Sequence, residues 1–243
     1  MARRRRNRSL GLVLVVVAIA VTVVAVFLTS GGDAGSGAIP TGPELLQQAK
    51  AAQTSAGCEP VETVGFYDGV TDTSSPDYHD QSHIGVSGSP FPTPPKLSTY
   101  PSTPPASGPH DPTPLPGGIY DSPPSVYQAI HSLEHGGVII WYAPGISSQA
   151  LDDLKALYGQ AVDQANVGQD RVIVAPYDYS NQGVAGELPA GVQMALVAWH
   201  RLQTCTHVSV AAAFDFSSQY GFYQPPLLDR PYKGEAPEAG GVM

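Results

Sequence analysis

The stretch from His131 to Trp141, HSLEHGGVIIW, places three side chains capable of chemistry close together: His131, Glu134 and His135. On an α-helix, positions i and i+4 share a face, so His131 and His135 present two imidazoles about one turn apart. Such a pair can chelate a transition metal, with Glu134 beside it as a general base or as a group that orients a ligand. H-x-x-E-H is also the inverted zincin pattern, in which the histidines hold zinc and the glutamate activates water. That match is weak, because Gly136 and Gly137 should end the helix at His135 and no third ligand follows on a recognisable downstream helix. A structural reading stands beside the chemical one. A histidine in the last turn of a helix interacts favourably with the helix dipole and can bond a free carbonyl, so the three residues could equally form a hydrogen-bonded knot.

Two further histidines strengthen the metal reading. His110, in PPASGPH, is delivered from a turn stiffened by Pro-Pro and Ser-Gly-Pro units, and His83, in DQSHIG, is a second candidate. An imidazole-rich set suits zinc or copper. Other residues carry less. His79 and His207 lack partner spacing and read as loop histidines. Met194 and Trp199 sit in an apolar run and read as core. Ser107 and Ser132 lie near histidines, but no G-x-S-x-G elbow surrounds either, which disfavours a serine hydrolase.

The elements that must position these residues are legible in part. Ser122 to Ser125 forms a helix entry, and Val126, Ile130 and Leu133 fall at spacings of four and three, predicting a short amphipathic helix over 125–135. GVIIWYAP from Gly137 is β-branched and aromatic, which predicts a buried strand. SSQALDDLKALYGQAVDQA predicts a helix capped by Ser147 or Ser148, and RVIVAPYD from Arg171 a second strand. VQMALVAWHRLQTC is ambiguous, its first half read as strand. From Pro90 to Pro124, 13 prolines in 35 residues exclude helix and central strand. The histidine and tyrosines within it favour an ordered loop laid on the core over a free polyproline spacer.

The chain opens with Arg3, Arg4, Arg5, Arg6 and Arg8, followed by an uncharged aliphatic run from Leu10 to Leu28. About 20 apolar residues cross a bilayer, and the arginines should stay on the cytoplasmic side, so the expectation is an uncleaved single-pass anchor with everything after Thr29 outside the cytoplasm. A cleaved secretory signal is the competing reading. Five of the 12 basic residues precede the run and all 21 acidic ones follow it, leaving 7 basic against 21 acidic, a formal −14. Such a surface repels phosphate, which excludes nucleic acid as a partner. Cys58 and Cys205 are the sole cysteines, and in an oxidising compartment they predict one disulfide.

The expected fold class is therefore α+β: a single small extracytoplasmic domain with a small sheet, packed helices and a long Pro-rich loop, preceded by one transmembrane helix. The expected boundaries are an Arg-rich cytoplasmic segment over 1–9, the membrane helix over 10–29 and a linker over 30–54 with a short helix from Glu44. The domain follows over 55–225, with its Pro-rich loop at 90–124, and a flexible tail covers 226–243.

Cys58, His83, the segment from Tyr100 to His110 with PPASGPH, Gly118 and Tyr120, then HSLEHG and Trp141-Tyr142, and finally Ala198-Trp199, together resemble the domain-of-unknown-function 3105 (DUF3105) family of bacterial, mostly membrane-anchored extracytoplasmic proteins. The family has no settled activity. The resemblance implies His83, His110, His131, Glu134 and His135 as the site, and the chain departs from the pattern at Ser132, where asparagine is usual, and at His200. Three functions remain open: a domain that binds copper or zinc through His83, His110, His131 and His135; a metal-dependent hydrolase or oxidoreductase with Glu134 as base; and a non-enzymatic interaction module of the cell envelope with structural histidines. Protein partners are not legible.

Overall fold

A computed structural model describes residues 39–162, 171–222 and 230–238, all of which belong to the compact unit Ala38–Met243. Helix α1 (Gly42–Ser55) leads into strand β1 (Glu62–Thr63), and the Pro-rich stretch then runs to β2 (Gly118–Ile119). Helix α2 (Val126–Glu134), β3 (Val138–Tyr142), α3 (Ser148–Gln160) and β4 (Val172–Pro176) follow. The last described elements are the hairpin β5 (Met194–Ala198) and β6 (Arg201–Cys205), then α4 (Val210–Tyr220).

The strands form one six-stranded sheet in the order β1-β6-β5-β3-β4-β2. Strand β4 pairs in parallel with β3 and β2, whereas β5 runs antiparallel to β3 and β6, with Ile140 opposite both Val174 and Leu196. Side chains alternate between faces, so β3 splits its residues between two cores. Val138, Ile140 and Tyr142 pack with Leu45 of α1, Leu154 and Leu157 of α3 and Phe214 and Phe216 of α4. Ile139 and Trp141 pack with Ile130 and Leu133 of α2 and with Leu97, Tyr100 and Ala106 of the Pro-rich loop. The loop thus does the work of a helical layer on the second face. Covering both faces explains why β3, β4 and β5 are buried throughout.

The α+β class with a small sheet and packed helices is what the sequence predicts. The ambiguous run from Val192 forms both strands of a hairpin, because Trp199-His200 turns the chain and His200 takes a left-handed φ of 54°. The short helix expected from Glu44 within the linker is α1, which begins at Gly42 and buries Leu45 and Ala49. The tail read as flexible is tied down where it is described, with Arg230 to Asp215 at 2.9 Å and Glu235 to Arg201 at 2.9 Å.

The transmembrane part of the expected architecture is corrected. Among the described residues no helix is long and apolar enough to cross a membrane. The longest, α1, has 14 residues and spans about 21 Å against the roughly 30 Å of a hydrocarbon core. The helix expected over 10–29 lies outside the described residues. The single-pass topology, the membrane as partner and the extracytoplasmic placement all rested on that apolar run, and no described helix supports them; what the described residues show is the α+β domain.

Candidate metal centre

Helix α2 is short and firmly fixed. The Ser125 hydroxyl accepts from Gln128 N–H at its start, and Val126, Ile130 and Leu133 are buried on the sheet side. At its end, Gly136 N–H bonds Leu133 O and Gly137 N–H bonds Ser132 O, a Schellman closure with Gly136 at φ +85°. The helix therefore stops at His135, as the paired glycines predict, and its last turn projects His131, Glu134 and His135 together. All three are buried.

The other two histidines arrive on paired loops. His83 and His110 form an isolated parallel bridge, with His110 N–H on Ser82 O at 2.9 Å and Ile84 N–H on His110 O at 2.7 Å. Asp80 anchors this pair of segments. Its Oδ1 accepts from Tyr67 N–H and from the Ser107 hydroxyl, and its carbonyl accepts from Gly108 N–H. Gly108 sits at φ +112° against Tyr100 and Tyr67, where a Cβ would come within 3.0 Å of both rings. The Tyr100 hydroxyl donates to the Pro109 carbonyl, next to His110.

These elements bring His83, His110, His131 and Glu134 together, with one potential ligand atom from each lying within 4.8 Å of all the others. The His131 ring centre is 4.8 Å from that of His110 and 5.0 Å from that of His83. A second group, His131, His135 and Glu238, adjoins the first and shares His131. The chain thus contains a histidine and glutamate cluster able to coordinate a metal ion.

The hydrogen bonds set the state of the rings. His110 Nδ1 lies 2.8 Å from Gly108 O, His131 Nδ1 2.6 Å from Asp111 O and His135 Nδ1 3.1 Å from Glu238 O. A carbonyl only accepts, so each Nδ1 carries the hydrogen and, in the neutral ring, each Nε2 keeps a bare lone pair. Those lone pairs face other acceptors: His110 Nε2 is 3.0 Å from Glu134 Oε2, and His131 Nε2 is 3.0 Å from His135 Nε2. His110 Nε2, Glu134 Oε2 and His83 Nε2 are buried without a properly formed hydrogen bond. Acceptor against acceptor repels unless a cation lies between, whether a proton or a metal ion. A proton is disfavoured on His131, where burial pushes the imidazole down to about 4, only partly opposed by the Asp111 carbonyl. Burial would raise the Glu134 carboxyl, but a second proton on His110, which would turn that contact into a charged hydrogen bond, and the amide of Gln81 together hold it below its ordinary value. Gln81 Nε2 donates to Glu134 Oε1 at 2.8 Å, leaving Oε2 turned to the histidines.

The remaining residues separate cleanly. His200 is buried but lies outside the cluster, its Nε2 3.0 Å from Asp80 Oδ2 and its Nδ1 on Val64 O. His79 packs edge-on to Phe91, and His207 meets the Thr206 hydroxyl. Met194 is buried in the core on the other side of the sheet. The Ser107 hydroxyl is spent on Asp80, and the Ser132 hydroxyl on Leu115 O and Gln128 O. Asp80, Gln81 and Glu238 complete the surroundings of the site. Gln81 could have been flagged by its place two residues before His83, but Glu238 carries no local signal.

Cys58 and Cys205 are joined in a disulfide across 147 residues. Comparison with curated proteins finds no match, and comparison with solved structures finds none either. A family model described as a protein of unknown function, DUF3105, matches residues 95–226. That span covers Tyr100 to His110, His131 to Gly136 and Ala198-Trp199, and because it exceeds half of the chain, the chain belongs to the DUF3105 family.

Proposed function

We propose that this is a metal-binding domain that holds one divalent transition ion, zinc or copper, through His83, His110, His131 and Glu134. The observation that carries the reading is the convergence of bare Nε2 lone pairs and a carboxylate oxygen in a buried space, with the opposite ring nitrogens of His110 and His131 fixed by Gly108 O and Asp111 O. A metal-ligating histidine characteristically donates its other N–H to such an acceptor, which sets the tautomer and raises ligand basicity. Nitrogen and carboxylate donors without sulfur suit zinc or copper(II) and disfavour copper(I).

Four protein donors fill a tetrahedral site, whereas catalytic zinc keeps a position open for water. Glu134 is a donor in this arrangement and not a base waiting on a free water. The domain therefore holds, transfers or senses its ion, and hydrolytic or redox turnover is the less supported reading.

The test is metal stoichiometry. The full chain, with its disulfide intact and purified without nickel, is incubated with zinc or copper(II), freed of excess and analysed by plasma mass spectrometry beside His110→Ala and Glu134→Gln. One ion per chain in the native protein, lost from folded variants as judged by circular dichroism, is the expected result. No retained ion of either kind in the native protein would end the proposal.

A further inference from the structure

The acceptor contacts do not stop at the buried cluster. His135 stacks on His131 with the planes 11° apart and the centres 4.8 Å apart, and its Nε2 lies 3.6 Å from Glu238 Oε2. Glu238 is built into this place. Its N–H bonds the carbonyl of Glu134, the last residue of α2, and its carbonyl takes the His135 Nδ1 hydrogen. Upstream, Phe222 N–H bonds Gly136 O. The tail thus returns to the helix end and sets a carboxylate over the outermost imidazole.

Exposure falls along this line. The Glu238 side chain is 48% exposed and His135 9%, whereas His110 and Glu134 are fully buried. His131 stands between the two groups and belongs to both. Its Nδ1 is committed to Asp111 O, so it has one lone pair and can serve one ion at a time.

Resting on the metal reading above, we infer that His131, His135 and Glu238 form an outer entry position, from which a single ion passes to the inner position of His83, His110, His131 and Glu134. The outer position offers three protein donors, with the Glu238 side chain half exposed to solvent, so a hydrated ion can bind there before losing its shell. During the move His131 stays bound, while Glu134 replaces Glu238 and the inner imidazoles replace His135. A divalent ion has one carboxylate partner at either end, so the charge of the complex is unchanged by the transfer. Avoiding an unpaired charge at the buried end removes what would otherwise be the main electrostatic barrier.

The test follows loading of the metal-free full chain with copper(II) by stopped-flow quenching of tryptophan fluorescence, since the Trp199 ring lies 6.1 Å from that of His110. Bound copper per chain is counted at equilibrium. The comparison uses Glu238→Gln, which keeps the backbone bonds that fix the tail, together with His135→Ala. The expected result is one copper per chain in all three proteins, with loading slowed by about tenfold or more in both variants. Equal loading rates would overturn the entry position while leaving the inner site standing. So would two coppers on the native chain with one lost in His135→Ala, or complete loss of copper from Glu238→Gln. No copper on the native chain, and no zinc when the count is repeated with zinc, would overturn both readings.

Discussion

His131 and His135 lie one turn apart at the end of α2, with nearly parallel rings and Nε2 atoms 3.0 Å apart. Both rings donate from Nδ1 to carbonyls, so the contact sets lone pair against lone pair. An ion bound to the folded chain and not to the unfolded one stabilises the fold by about 2.7 kcal/mol at a free concentration of about 100 times Kd. Thermal melts in rising zinc should therefore shift upward in the native protein and stay flat in His131→Ala. A melt that ignores zinc in the native chain would remove the metal from the account of this contact.

Acid should act on the metal-free protein through His131. Its folded value, about 4, lies below its ordinary 6.5 because burial disfavours the imidazolium. The unfolded chain then binds the proton more readily, so stability is full above the ordinary value and falls as the pH drops from 6.5 toward 4. Glu134, also lowered, loses its share below its ordinary 4.5. Urea unfolding of the metal-free chain at intervals from pH 7 to pH 4 should show this decline, reduced in His131→Asn. A bound ion competes with the same proton, so metal release should track the same interval.

How much of this was readable follows from where the information lies in the chain. Helix α2 and its stop were legible because Val126, Ile130, Leu133 and the glycine pair act within one short segment. The five motif residues were legible through the family pattern. Which four of them meet was not, because the division depends on the bridge between His83 and His110 and on the position of Gln81. Helix α4 escaped notice because its first half, Val210 to Phe214, is an unbroken apolar run and its polar residues Asp215, Ser218 and Gln219 come only in the second half, too few to mark a helical period. Glu238 lies 103 residues beyond His135 and is brought to it by packing alone.

The His200 and Asp80 pair should respond to pH in the opposite direction. Burial alone would lower the His200 imidazole, but the Asp80 hydrogen bond and charge outweigh it and leave the value raised above 6.5. Stability from a raised histidine is fully present below its unfolded value and is lost as pH rises through the folded one. Asp80→Asn should abolish the decline seen above about pH 6.5. It should also cost on the order of 3–5 kcal/mol below that pH, because a buried charge loses its partner. An unchanged pH profile in Asp80→Asn would show that the pair carries no proton.

Gly136 couples the helix end to the tail that carries Glu238. At φ +85° with Phe222 Cβ 2.3 Å from where its own Cβ would stand, Gly136→Ala meets both backbone strain of about 1–2 kcal/mol and a clash that displaces Phe222. The expected outcome is a lower melting temperature together with slower copper loading, since the Phe222 bond to Gly136 O helps return the tail to α2. Gly145 also has a positive φ but has open space around it, so Gly145→Ala should show the backbone cost alone, with loading unchanged. Slowed loading in Gly145→Ala as well would mean that the rate follows general stability and not the placement of the tail.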